Sequence, residues 1–360
     1  MIKRNIYKLI KVNKYNMDVL SQLVLEAKKT DINKLDLRDK KILFTLSQNV
    51  RTPLTKIAKF SALSRDSVKY RLNKYEKQGI LKRSRTLVNV SKLGYDSYHI
   101  FFRLNNPSKE SKKEMIKKIS EMPFVRSILK FFGSFDLEIA VIAKSLYEFD
   151  SHLGEIINVT KNSIQDYEII IITENYRSSA FPNNFLEGIR KDIKSYKSER
   201  PKKDEYKPDN KDFEIIKVIR DDAQMPLISI ASKVKISPDA VSYRLKKLQE
   251  NIIIAFVPVI NFQAIGYNIH ALLLNINGLD KEKEKKLSEF FRYDKNVLWA
   301  VKTVGRYNVL AYLCSKNEIE LQQSIGKLRS LFPEQINRYE SLLALEQYKY
   351  TYVPDCIFEK

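Results

Sequence analysis

The residues best equipped to recognise another molecule lie in one run, Ser64, Arg65, Asp66, Ser67, Lys69, Tyr70, Arg71, Asn73 and Lys74, and in a second at Asp239, Ser242, Tyr243, Arg244, Lys246 and Lys247. They offer hydrogen-bond donors, acceptors and fixed cations, which suits non-covalent reading of base edges and phosphates rather than bond-making. No nucleophile with a neighbouring base, no glycine-rich phosphate loop and no spaced set of metal ligands accompanies them, so no catalytic group, metal or cofactor is implied. The chain has three histidines, His99, His152 and His270, and two cysteines, Cys314 and Cys356, neither of them in a CxxC pair. That pattern argues against a zinc site and a disulfide framework and suits a reducing cytoplasm. The opening MIKRNIYKLIKV is broken by charges and does not read as a secretory signal, and no apolar run is long enough for a membrane helix.

What must position these side chains is a helix, and the sequence supplies it twice. PLTKIAKFSALSRDSVKYRLNKYEKQGI from Pro53 aligns without a gap on PLISIASKVKISPDAVSYRLKKLQENII from Pro226, an offset of 173 that becomes 172 further on. The pairs include Ile57/Ile230, Ala58/Ala231, Ser64/Ser237, Asp66/Asp239, Tyr70/Tyr243 and Arg71/Arg244. The chain is a tandem duplication. In copy 1, Leu37, Ile42, Leu43 and Leu46 form the stripe of a first helix, and Pro53 opens a short second one. Ser64 is an N-cap for a third helix, with Val68, Leu72 and Tyr75 buried and Gly79 at its end. Rotation of about 100° per residue then turns Asp66, Tyr70, Asn73 and Lys77 outward, with Ser67, Lys69 and Lys74 on the shoulders. Arg65 and Arg71 lie nearer the buried edge. Arg71 and Arg244 have two readings, a phosphate contact or an internal brace. Ile80–Val90, rich in β-branched and basic residues, reads as a wing hairpin that presents Arg83 and Arg85.

Charge is not spread evenly. The total is +21 from 64 basic and 43 acidic residues, a surplus that favours nucleic acid or an anionic surface. Residues 36–90 carry 14 Lys/Arg against 4 Asp/Glu, whereas 91–176 carry 11 against 12 and 209–262 carry 8 against 7. The first helix-turn-helix is therefore the expected main contact with double-stranded DNA.

After Gly94-Tyr95 the periodicity changes to strand, helix, strand, strand, helix, strand, the ferredoxin-like βαββαβ order, which copy 2 repeats from Tyr267 to Tyr348. A four-stranded sheet with helices on one face leaves the other face unprotected, and the second copy is the natural cover. The expected fold class is α+β, with two winged helix-turn-helix domains alternating with two ferredoxin-like domains. The expected segments are an N-terminal extension (1–35) with a helix around Met17, Leu20, Val24 and Ala27; helix-turn-helix 1 (36–90); α/β domain 1 (91–176); a charged linker (177–208); helix-turn-helix 2 (209–262); α/β domain 2 (263–350); and a tail (351–360).

These motifs together resemble the Lrp/AsnC, or feast/famine, family of transcriptional regulators. Its opening is matched by Leu35-Asp36, Asp39, Ile42 and Leu43, its domain junction by Lys92-Leu93-Gly94-Tyr95, and its ligand-domain hairpin by Gly133-Ser134-Phe135-Asp136. The resemblance implies an intrachain pseudo-dimer that associates further. It also implies an amino acid or related metabolite as effector, near Gly133, Phe135 and Asp136 and near Gly305, Tyr307 and Asn308 of copy 2. The sequence departs from the family at Ala62 and Lys235, where the turn before the recognition helix usually carries Gly, and at Ile252 and Asn308 in copy 2. Two other readings stand beside it. Sirohaem decarboxylases resemble the same two-domain fold, with a histidine and arginines for a carboxylated tetrapyrrole, and a lysine-rich non-specific DNA binder would share the charge.

Overall fold

The computed structural model describes residues 23–24, 32–160, 163–190, 192 and 206–359. In copy 1, α1 (Leu37–Gln48) starts at Asp36, whose side chain accepts from the Asp39 N–H while Asp39 returns the bond, a capping box. Next come α2 (Leu54–Ser61), entered through Pro53, and α3 (Arg65–Lys77), capped by Ser64. Copy 2 repeats the device with α6 (Asn210–Ile219) boxed by Asp209 and Asp212, α7 (Leu227–Val234) after Pro226, and α8 (Pro238–Asn251) capped by Ser237. Ala62 and Lys235 both adopt the left-handed conformation expected of the family's glycine, at φ 53° and 57°.

The segment expected as a wing hairpin does not fold back on itself. It is a single strand, β2 (Leu81–Val88), paired antiparallel with its counterpart β7 (Ile253–Asn261) of copy 2. The pairs Ser84–Pro258 and Arg85–Val257 straddle a local two-fold axis between the copies. A strand with unsatisfied backbone groups and a symmetry-related twin finds its partner there.

The α/β halves likewise share one structure rather than stacking as two open sheets. Copy 1 contributes β3 (Asp96–Leu104), β4 (Val125–Phe132), β5 (Leu137–Ala143) and β6 (Ile164–Ser178). Copy 2 contributes β8 (Asn268–Ile276), β9 (Val297–Val304), β10 (Val309–Ser315) and β11 (Ile336–Tyr350). The order β10-β8-β11-β4-β5-β3-β6-β9 closes into a barrel. The long last strands make the joins, β6 pairing with both β3 and β9, and β11 with both β8 and β4. The barrel thereby has no open edge. Helices α4 (Lys109–Glu121) and α5 (Leu146–Thr160) cover copy 1 from outside, and α9 (Lys281–Tyr293) and α10 (Glu318–Leu331) cover copy 2. One apolar core runs from both helix-turn-helix units into the barrel, and a smaller core lies under each helix pair.

Three segment expectations change. The start of the expected linker, 177–190, is packed: Phe181 and Phe185 stack at 4.1 Å, and Leu186 and Ile189 are buried. The Arg177 guanidinium donates to the Arg292 carbonyl and to Asn183, and Lys41 pairs with Asp192 at 3.1 Å, tying this segment to α1. The tail is also held, by the pair Arg220–Asp355 (2.5 Å) and by buried Tyr352, Val353 and Ile357. Of the expected N-terminal helix, Met17, Leu20 and Ala27 lie outside the described residues, and Leu23–Val24 is instead a short strand, β1, parallel to β7.

Candidate nucleic-acid interface

α3 is anchored by Val68 and Tyr75, both essentially inaccessible, with Leu72 half-buried beside them. Its opposite side exposes Arg65, Asp66, Lys69, Tyr70, Asn73, Lys74 and Lys77, and the Tyr70 ring is 69% exposed. The Ser64 hydroxyl accepts from the Ser67 N–H (3.1 Å) and donates to the Ser67 hydroxyl (2.8 Å), so this pair is committed to starting the helix. Asp66 in the first turn complements the positive end of the helix dipole. On α8, Asp239, Ser242, Tyr243 and Lys246 are exposed and Lys247 is half-buried. Copy 1 has Arg65, Lys69 and Asn73 where copy 2 has Pro238, Ser242 and Lys246, so the two faces are chemically different.

The two arginines expected either to touch phosphate or to brace the domain do the latter. Arg71 binds Asp36 (2.9 Å) and Asp39, and the Tyr75 hydroxyl donates to the same Asp39 carboxylate at 2.5 Å. Arg244 repeats the arrangement with Asp209 (2.8 Å) and Asp212 (2.9 Å), joined by the Tyr206 hydroxyl at 2.6 Å. Each recognition helix is thus bolted to the N-terminus of its first helix. The Asp36 carboxyl loses solvation, which works to raise its pKa, but the Asp39 N–H and Arg71 outweigh this and hold it below the usual range. Asp209 is lowered in the same way, Arg244 and the Asp212 N–H overriding the effect of burial.

Of the two arginines expected on the wing, Arg83 is exposed, but Arg85 is turned inward. Burial pushes the Arg85 pKa down, and its guanidinium lies 5.3 Å from the Tyr350 ring centre, so it belongs to the packing between ribbon and barrel. Two exposed cations were missed because they lie outside the helix pattern. Lys59 stands on α2, which packs against α3, and the Lys82 ammonium lies beside Gly79 at the end of α3. Their only signal was the dense basic composition of 36–90.

The residues tied by resemblance to an effector have structural work of their own. Phe135 and Tyr307 are each 2% exposed, inside the barrel core. The Asp136 carboxylate accepts from the Leu104 N–H (2.8 Å), and Asn308 both accepts from and donates to the Ile276 backbone, clasping each hairpin to its first strand. Gly133 (φ 149°) and Gly305 (φ 138°) sit against the other copy: a Cβ would stand 2.6 Å from Leu342 Cδ2 in the first case and 2.8 Å from the Ile169 carbonyl oxygen in the second. Phe132 and Val304, the neighbours of these glycines, are exposed.

Residues 35–82 and 208–251 match a family profile described as winged helix-turn-helix DNA-binding. The transcriptional regulator LrpA of Pyrococcus abyssi is 33% identical over 131 residues, covering 35% of this chain and 92% of that one. The regulatory protein AsnC of Haemophilus influenzae is 27% identical over 144 residues, covering 40% of this chain and 95% of that one. Each such relative therefore spans about one copy. Over the whole length, the solved structure of the sirohaem decarboxylase NirDL with an iron-uroporphyrin III analogue is similar at a TM-score of 0.58 and 13% identity, covering 89% of this chain and 96% of that one. At that identity the likeness is one of fold, and it extends to the tandem arrangement.

Proposed function

The chain belongs to the Lrp/AsnC family of helix-turn-helix transcriptional regulators, and from that membership we propose that it reads an asymmetric duplex site, with α3 as the principal contact and α8 as a weaker, differently specific one. The observation that carries this is the exposed face of α3, where Arg65, Lys69, Asn73, Lys74 and Lys77 surround Tyr70 within a net-basic segment. Polar side chains near the N-terminus of such a helix serve base edges, and the flanking cations serve phosphates. In this reading the antiparallel β2–β7 ribbon that joins the two copies would bring the second helix to the same duplex. Because Pro238, Ser242 and Lys246 replace Arg65, Lys69 and Asn73, the two half-sites differ in sequence.

A metabolite effector and further self-association, both expected from the family, are best supported at the hairpin tips, where Phe132 is 73% and Val304 58% exposed. Gly133, Phe135, Asp136, Gly305, Tyr307 and Asn308 would then shape the hairpins rather than touch the ligand.

Selection of binding sites from a random duplex pool at two salt concentrations, with and without an amino-acid mixture, tests the proposal. A preferred, non-palindromic sequence supports it. Strong, salt-sensitive binding without preference would instead indicate a general DNA binder.

The full-length likeness to a sirohaem decarboxylase favours a second reading, an enzyme acting on a carboxylated tetrapyrrole. Its weakness lies in the histidines. His99 is fully buried, His270 is 7% exposed and sits on the helix side of its strand near Glu318, and His152 lies flat on Phe124 at 3.8 Å. A Soret-band shift on adding a ferrous tetrapyrrole, with loss of carboxylate as CO2, would overturn the regulator-only reading.

A further inference from the structure

We infer that the inner faces of the two sheets are complementary to each other and not to themselves, so that this surface accepts the other copy and rejects its own duplicate. The two faces have exchanged size and polarity position by position. Copy 1 carries Ser127, Ala140, His99 and Glu138 where copy 2, at an offset of 172, carries Trp299, Tyr312, Ala271 and Leu310. All eight are at most 1% exposed.

The register places them in facing rows. Ala140 pairs with both Ser127 and His99 in one sheet, and Tyr312 pairs with both Trp299 and Ala271 in the other. Copy 1 therefore forms a shelf of small side chains with a polar end, and copy 2 stands two large rings in that space. The Tyr312 hydroxyl donates across the barrel to Glu138, whose other oxygen meets His99 Nδ1 at 2.5 Å. The Trp299 ring lies 6.1 Å from the His99 ring and 5.5 Å from that of Tyr312. Towards the hairpins the bias reverses, with Phe101 and Phe131 in copy 1 where copy 2 has Leu273 and Thr303.

Neither homotypic pairing can fill a barrel of this shape. Two copy-1 faces would leave the shelves empty and remove the tyrosine hydroxyl from each buried carboxylate. Two copy-2 faces would force four large rings into the space for two, in an interior that is already close-packed. A buried polar pair that is satisfied in only one arrangement fixes the choice of partner. The consequence goes beyond DNA recognition itself: the two non-equivalent helix-turn-helix units are always delivered as a pair from one chain, insulated from subunit mixing.

The test uses three full-length variants. One gives copy 2 the small row (Trp299→Ser, Tyr312→Ala, Ala271→His, Leu310→Glu). The second gives copy 1 the large row (Ser127→Trp, Ala140→Tyr, His99→Ala, Glu138→Leu). The third carries all eight changes, which restores one small and one large face on exchanged copies. Thermal melting and light scattering are read on each. We expect the eightfold variant to melt above both fourfold variants and to keep the parent mass, although it carries twice the substitutions. Co-refolding the two fourfold variants is expected to give a one-to-one complex. If damage accumulates, so that the eightfold variant melts at or below the worse fourfold variant, complementarity is refuted. Parent-like melting of either fourfold variant alone refutes it equally.

Discussion

Ala62 and Lys235 hold backbone angles of φ 53°, ψ 52° and φ 57°, ψ 51°, each closing the helix that precedes the recognition helix. Both side chains are exposed, and the bonds made there are backbone bonds, from the Ala62 N–H to the Ala58 carbonyl and from the Lys235 N–H to that of Ala231. Replacement by glycine therefore leaves those bonds in place and changes only conformational cost. A non-glycine residue in this region costs about 1–2 kcal/mol. Glycine gives back about 0.4–1 kcal/mol through the greater freedom of the unfolded chain. The net expectation for Ala62→Gly is a gain of about 0.5–1 kcal/mol, a two- to fivefold smaller opening constant. Hydrogen exchange of peptides spanning α2 and α3 should slow by that factor, and Lys235→Gly should do the same in copy 2. Gly79 (φ 66°) is the control of opposite sign. A Cβ there meets only the flexible Lys82 side chain at 3.5 Å, so Gly79→Ala isolates the backbone cost and should speed exchange by a similar factor. If Ala62→Gly left exchange unchanged while Gly79→Ala slowed it, the conformational cost assigned to these turns would be wrong.

Charge reversal at Lys69 and Lys74 should lower stability only modestly, by about 1 kcal/mol, because both are exposed and only Lys74 lies in the last turn of α3, where a cation complements the helix dipole. In a titration of binding against salt it should reduce the slope of log K by about 0.9 for each phosphate that is no longer neutralised. Arg71→Met should destabilise the first helix-turn-helix by about 1–3 kcal/mol, since it leaves the largely buried Asp39 without its cation. Asp36 and Asp209 have folded pKa values below their ordinary ones, so their contribution is present above about pH 4 and is lost as pH falls through the lowered values. Acid titration of stability should show that loss, and Arg71→Met should reduce the copy-1 part of it, since the Asp39 N–H bond to Asp36 remains. Gly305→Ala should lower the melting temperature more than Gly133→Ala, because its Cβ would meet a backbone oxygen rather than a side chain that can turn. Equal losses would contradict the packing role given to these hairpins.

Local features were legible because they are written in neighbouring residues. The caps Ser64 and Ser237, the buried pair Val68 and Tyr75 and the exposed face of α3 all follow from spacing along one helix, while the left-handed Ala62 and Lys235 were implied by the family resemblance. The duplication was legible too, since it needs only an offset. The βαββαβ order of each copy followed from periodicity, although β6 and β11 run longer than their apolar cores suggest. Their extra residues exist to pair with the other copy. The fate of Arg71, a brace or a phosphate ligand, could not be settled from helix α3 alone because its partner carboxylates lie on another helix.

The misreadings share one cause. Arg85 looked like a wing cation because its own strand says nothing of the Tyr350 ring that covers it. Segment 177–208 looked like a linker because the charges around Pro201 outweighed Phe181, Phe185 and Ile189, whose pocket is built by α1 and copy 2. The sequence alone determined two helix-turn-helix units, two α/β units and which helix face is polar, since helix periodicity and capping act within a few residues. Tertiary structure decided that the wings join into one ribbon and the sheets into one barrel. Those joins are backbone pairings between residues from 121 (Ser178 and Trp299) to 223 (Ser127 and Tyr350) positions apart, and no local pattern encodes the edge a strand will find.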